Sequence, residues 1–445
     1  MTSTRLYVCA VVALLMTGRP GSLRAQEAAE RLTLDEAIAQ GLANSHRLAE
    51  LQARQEAATA TEQRRSADRL PTVAAQAGYT RTNHVEEFAI IQPGQPRLVV
   101  YPDVPDNYRS RLDLQWLIYS GGRVDALERA ARAEARASGE DLTAARADLR
   151  LEIARAFWAL VTAREAEQVL SRSLERIVAY VRDLRVRLDQ GLIPPNELLS
   201  AEAQHSREQV GAIEATNARQ VAEADLRRLT GSNRTGPLEP VAVFEGPAQP
   251  PVGTEQLIVE ALANRPERRA FVDRVDAARA RVDAAGAPLR PQVAINGGFD
   301  YASPNPRHFP REARWDDSWD VSVNASWSFW DGGRTRADRA EAAAGNRAAE
   351  ARLADFDRQV AFEVRQRLLE LASSRAAITA ATEGVRAATE ARRVLAERFN
   401  AGVATNTEVL DAQTAVLQAE LDRTRALANA RLAEARLARA IGKLQ

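Results

Sequence analysis

The chain has 445 residues, with 60 basic and 60 acidic side chains and no net formal charge. That balance excludes a general nucleic-acid binder, which needs a basic stripe. Ala, Arg, Glu and Leu dominate, the composition of long helices, and the single cysteine, Cys9, excludes a disulfide framework.

Residues 1–25 read as a secretory signal peptide. Arg5 gives a positive start, and Leu6 to Met16 is an apolar run of 11 residues, too short for a membrane-spanning helix. Gly21, Ser22 and Ala25 suit a cut after Ala25. Cys9 lies inside the apolar run and away from the cut, so the mature chain is expected to carry no thiol and no lipid anchor. No later stretch reaches about 18 apolar residues, so no transmembrane helix is expected. An exported chain of this kind can still enter a membrane as a β-barrel.

From residue 26 the chain is written twice. Leu42-Ala43-Asn44 recurs as Leu262-Ala263-Asn264, Pro71 as Pro291, and Gly78-Tyr79 as Gly298-Phe299, all at an offset of 220. Gly121-Gly122-Arg123 recurs as Gly332-Gly333-Arg334, Gly191 as Gly402, Glu197 as Glu408, Leu199 as Leu410 and Gly231 as Gly442, all at 211. The change of register falls between Tyr79 and Gly121, where the first copy has the longer loop. Repeat 1 spans 26–231, a Pro- and Gly-rich linker 232–254, and repeat 2 spans 255–445.

Each repeat opens with a helix, Leu34 to Asp68 and then Glu255 to Ala285. Two strands follow, at about 72–85 and 108–119 in the first copy and about 291–302 and 317–330 in the second. After the Gly-Gly-Arg turn come a long helix (123–190 and 334–401), a glycine turn and a return helix (194–229 and 405–441).

The strands alternate. Trp319, Val321, Val323, Ala325, Trp327 and Phe329 fall on one face; Ser318, Asp320, Ser322, Asn324, Ser326 and Ser328 fall on the other. Leu112, Leu114, Trp116 and Ile118 repeat the pattern. Val73, Ala75, Ala77 and Tyr79 give one weaker partner strand, and Val293, Ile295, Phe299 and Tyr301 the other. Alternation alone fits a soluble half-buried sheet equally well. In lipid, however, an open sheet edge is not tolerated and a barrel needs at least about eight strands. Four strands per chain must then be shared between subunits. The loop from Glu86 to Asn107 is expected outside the membrane, where it could seal the mouth.

No proline interrupts Arg123 to Ile193 or Arg334 to the end. At about 1.5 Å per residue each long helix would reach roughly 100 Å. Leu170, Leu174, Ile177, Val181, Leu184 and Leu188 form a coiled-coil seam, and Leu371, Ile378 and Val385 keep a heptad step in the second copy. Gly191 and Gly402 suit left-handed helix ends. Pro194 and Pro195 bar continuation and suit a new helix start. Each copy therefore predicts a helical hairpin.

Several segments together resemble the TolC family of outer-membrane efflux proteins. They are LTLDEAI (Leu32 to Ile38), the doubled strand-GGR-long-helix unit, GLIPPNELL (Gly191 to Leu199) and GVATNTEVLDAQ (Gly402 to Gln413). The set, in order and duplicated, spans nearly the whole mature chain. The resemblance implies a fold that joins α-helices to a membrane β-barrel. A homotrimer would share one twelve-stranded barrel, continued into the periplasm by a long α-helical barrel, or tunnel. It implies a passive channel of a tripartite efflux or type I secretion system, set in outer-membrane lipid. Its partners would be a periplasmic adaptor (a membrane fusion protein) and an inner-membrane pump.

The resemblance also implies roles for residues at the hairpin tips. Glu408 and Asp411, three apart on one helix face, correspond to an acidic pair lining the periplasmic entrance. Three copies would make a cation-selective ring whose crowded carboxylates raise each other's pKa. Relatives close this entrance with a Tyr and an Arg; here Phe399 and Ala404 stand in those places, with Arg398 nearby as a substitute. Gly191, Leu192, Gly402 and Val403 are the expected adaptor contacts. The sequences around them, Gln190-Gly191-Leu192 and Ala401-Gly402-Val403, depart from the family's Val-Gly-Leu.

No enzyme is expected. His46, His84, His205 and His308 are scattered without metal-ligand spacing, and there is no phosphate loop or nucleophile elbow. No cofactor and no metal site are predicted. The rival reading is a periplasmic coiled-coil scaffold or adaptor, which would not need two sets of Trp-rich alternating strands.

Overall fold

The computed structural model describes residues 30–232, 236–242 and 253–444. The expected signal peptide and most of the expected linker lie outside them. The first repeat runs β1 (Glu30–Leu32), α1 (Leu34–Asn44), α2 (His46–Ala67), β2 (Thr72–Arg81), β3 (Phe88–Ile90), β4 (Leu98–Tyr101), β5 (Asp106–Tyr119), α3 (Arg123–Asp189) and α4 (Pro195–Thr230). Then come β6 (Leu238–Pro240), α5 (Thr254–Asn264), α6 (Pro266–Gly286), β7 (Gln292–Ser303), β8 (Asp316–Ser326), α7 (Arg334–Asn400) and α8 (Asn406–Ala440).

The opening helix of each repeat is broken in two, against the expectation of one. In repeat 1, Ser45 takes an extended conformation (φ −74°, ψ 112°), and its side chain caps α2 by accepting from the Leu48 N–H. In repeat 2, Pro266 pushes Arg265 out of the helical region and takes the first position of α6. The expected linker holds β6, which pairs in parallel with β1. Three residues are too few to show a period in the sequence.

β2, β5, β7 and β8 form one antiparallel sheet in that order. β2 ends at Arg81 rather than near 85, and the long loop after it carries the small hairpin β3–β4. β8 ends at Ser326, so Trp327 and Phe329 continue the alternation beyond the ladder. Trp327 is anchored instead by donating its indole N–H to the Leu289 carbonyl (3.0 Å), as Trp116 does to Arg69 (3.0 Å). Leu112 sits opposite Phe299, and Phe299 opposite Trp319, so the apolar residues share one face. Trp319 is 70% exposed there. β2 and β8 are open edges, so a single chain closes no barrel.

Below the sheet, α3 and α7 each run 67 residues. α3 is the central post, packed by α2, α4, α6 and α8. One core gathers Leu142, Leu149, Ile153, Phe157 and Leu160 of α3 around Leu226 and Leu229 of α4, under β1 and β6. Gly41 lets α1 press on this core, because a Cβ there would overlap the Ile153 side chain. A second core joins Leu257 and Ile258 of α5 to Val360, Val364 and Leu371 of α7 and Leu437 of α8.

A charged cluster staples the repeats at this level. Arg439 of α8 bonds Asp148 of α3 (2.8 Å) and Glu267 of α6 (2.5 Å), while Arg265 bonds Glu267 (3.1 Å) and Glu363 of α7 (2.5 Å). Burial raises the Glu267 carboxyl, but the hydrogen bonds and charges of Arg265 and Arg439 outweigh it and hold the pKa at about 2.

Candidate functional site

The two hairpin tips lie at the far end of the long helices from the sheet. α3 ends where Gly191 turns left-handed (φ +72°), with its N–H donating to Leu188 O (2.8 Å) and the Leu192 N–H to Arg187 O (2.9 Å). α7 ends in the same way at Gly402 (φ +74°), with bonds to Phe399 O (3.0 Å) and from Val403 to Arg398 O (2.9 Å). Both glycines face open space. Leu192 is 68% and Val403 63% exposed, so each tip presents one bare aliphatic side chain.

α8 then starts with a capping box. The Thr405 N–H donates to Glu408 Oε2 (2.7 Å), and the Glu408 N–H returns to Thr405 Oγ1 (3.3 Å). The Thr405 N–H and its hydroxyl (3.0 Å), both donating to Glu408 Oε2, with a smaller contribution from the Arg398 charge, hold the Glu408 carboxyl below its usual range. Within one chain the direction is therefore the reverse of the crowding expected between carboxylates. Asp411 lies one turn on, exposed, and has no side-chain hydrogen bond or ion pair among the described residues. Glu408 and Asp411 thus share a face, but Glu408 also holds the helix end.

Arg398 and Phe399 part company. Arg398 reaches back to its own turn, donating to the Val403 carbonyl (3.4 Å). Phe399 crosses to the first hairpin. It joins Ile177, Leu184, Leu188 and Leu198, lies 6.3 Å from the Tyr180 ring, and carries the Arg187 guanidinium 5.3 Å from its centroid.

Sequence reasoning missed the polar half of this contact. Tyr180 donates its hydroxyl proton to Asn406 Oδ1 (2.6 Å), and Asn406, which is buried, donates to the Glu197 carbonyl (2.9 Å). Arg187 bonds Asn400 Oδ1 (2.8 Å). Burial pushes the Tyr180 hydroxyl up to about 12, the Arg187 charge opposing it and Glu197 adding to it. The available signal was Tyr180 itself, a hydroxyl inside the Ile177–Val181 stretch of an otherwise aliphatic seam. Deeper in, the buried carboxylate Glu208 takes a bond from Gln204 (3.1 Å), which also reaches Thr414 of α8 (3.2 Å). The hairpins are thereby tied along one side. Among the described residues no group of three or more His, Cys, Asp or Glu is placed to hold a metal ion.

The sequence pattern of the outer membrane efflux protein family matches residues 37–232 and 257–443. Among solved structures, the chain is similar to the outer-membrane channel OprN, at 23% identity and TM-score 0.77, over 92% of this chain and 89% of that one. It is also similar to the CmeC outer membrane channel of Campylobacter jejuni (18%, TM-score 0.78, 92% and 85%). The outer membrane protein VceC of Vibrio cholerae gives 21% identity, TM-score 0.77 and coverage of 92% and 96%. No curated protein matches. At these identities the structures speak for the fold, and the family pattern speaks for the kinship.

Proposed function

This chain belongs to the outer membrane efflux protein family and is an outer-membrane efflux channel, and from that premise we propose how it is assembled and gated. Three copies join their open sheet edges into one twelve-stranded barrel, and their hairpins form the periplasmic tunnel. Glu408 and Asp411 of the three copies ring the entrance. Leu192 and Val403, carried on the turns of Gly191 and Gly402, meet a periplasmic adaptor that links the channel to an inner-membrane pump. The channel is passive; the pump drives small-molecule efflux or type I secretion.

The observation that carries this reading is the sheet. One face is apolar and exposed, the other polar, and both edges are open at the head of two 67-residue helices. An open edge in lipid must find a partner, and another copy offers the same two edges.

The test is single-channel recording in planar bilayers. Stable cation-selective steps are expected, blocked by multivalent cations from one side only. Asp411→Asn and Glu408→Gln should each reduce the selectivity and leave the α8 cap in place, since a Gln side-chain oxygen still accepts the Thr405 N–H. Unchanged reversal potentials in the double variant would sink the acidic ring. A protein that forms no channels and stays soluble without detergent would sink the assembly.

A further inference from the structure

Residues 304–315 join β7 to β8 at the end of the sheet away from the helices. A connector of this length could project freely. Instead it is bonded down onto the polar face. Asn305, only 1% exposed, donates to the Asp316 carbonyl (3.0 Å) and to Ser318 Oγ (3.1 Å), and its Oδ1 accepts the Arg307 N–H (3.0 Å). Arg307 reaches further in, donating to the Trp319 carbonyl (2.7 Å) and to Asp320 Oδ1 (2.6 Å).

Asp320 belongs to a ladder of charges across the same face. Arg111 approaches it at 3.6 Å and also bonds Asp113 (2.6 Å) and Asp300 (2.5 Å); Arg109 bonds Asp300 (2.6 Å). Gly298 makes the crossing possible, since its missing Cβ leaves the space the Arg111 guanidinium fills. The connector is also tied sideways. Arg311 donates to Asn107 Oδ1 (3.2 Å) and lies 5.9 Å from the centre of the Tyr101 ring on β4. On the opposite face Trp315 stacks on Tyr301 (4.9 Å), which pins the root of the connector.

We infer that residues 304–313 form a lid folded over the polar face of the sheet. Arg307 latches it to Asp320, and the arginine–carboxylate ladder beneath narrows the mouth. This rests on the channel reading, in which the polar face lines the lumen. The lid, rather than the 86–107 loop alone, then controls what passes the outer end. The Arg307 bonds are charge-assisted and reach furthest over the polar face, so losing that side chain loosens the lid there, while Asn305 and Arg311 still hold its root and flank and the sheet persists.

The test places a reporter beneath the lid. Ser322→Cys sits on the polar face, further from the mouth than Asp320. In full-length protein with Cys9 replaced, labelling in intact cells is followed with membrane-impermeant maleimides, one small and one bulky. Adding Arg307→Ala is expected to speed the bulky reagent by about tenfold or more, as loss of a charge-assisted latch shifts a two-state loop. The small reagent should be little affected. Equal bulky-reagent rates with and without Arg307, on a reporter the small reagent labels, would overturn the lid and leave the channel standing. A further variant replaces 306–313 with a short Gly-Ser turn. If Ser322→Cys stays unreactive to both reagents even there, the polar face is not the lumen, and the channel reading falls with the lid.

Discussion

Tyr180 shows how one hydroxyl can close a contact that is otherwise apolar. Its bond to Asn406 is the polar centre of the tip cluster, and Asn406 has no room to find water in its place. Tyr180→Phe keeps the ring against Phe399 but leaves a buried amide oxygen without a donor. That should cost about 1–3 kcal/mol, read as a lower melting temperature and faster hydrogen exchange across 177–201. Because the hydroxyl is held up at about 12, the bond should persist through the neutral range. Its contribution is complete below the ordinary tyrosine value near 10 and is lost as pH rises from there toward 12. Phe399 was singled out from the sequence for what it lacks, a hydroxyl. In this contact the hydroxyl is carried by Tyr180 on the facing helix.

At the scale of elements, the long helices were legible and their partners were not. Proline-free runs with heptad-spaced aliphatic residues define α3 and α7 almost to the residue, because backbone bonding and the seam are local properties. The breaks at Ser45 and Arg265 were less visible, though a capping Ser and an Arg-Pro step were both there to read. The staple of Arg439, Glu267, Arg265, Glu363 and Asp148 draws on four helices and has no local pattern at all. Removing its central anion, by Glu267→Gln, leaves Arg265 with Glu363 and Arg439 with Asp148, one carboxylate each. That should cost about 1–3 kcal/mol, measured as thermal stability in detergent. The sign with pH follows from the lowered carboxyl: its contribution is present above the ordinary 4.5 and is lost as pH falls through about 2. The native chain should therefore weaken between those values, and the Gln variant should weaken less, since the other lowered carboxyls, Glu370 among them, titrate in both.

For the whole molecule, the exposed apolar face is the decisive surface. Trp319, Val321 and Val323 line one side of β8 with nothing over them in a single chain. If lipid covers that face, Val321→Arg near mid-strand should cost about 2–4 kcal/mol. Refolding into vesicles across a urea gradient measures it. A cost near zero would mean that water, not lipid, meets this face. Sequence alone determined the duplication, the strand–helix alternation and the hairpin turns, since each rests on spacing along the chain: period two, period three and a half, and glycine where φ turns positive. Only the tertiary structure decided the open four-stranded order, the Tyr180–Asn406 tie, the staple and the connector folded onto the polar face. Their defining bonds join residues from 13 to 291 positions apart, and a pairing between distant side chains is set by where the backbone carries them, which no local pattern records.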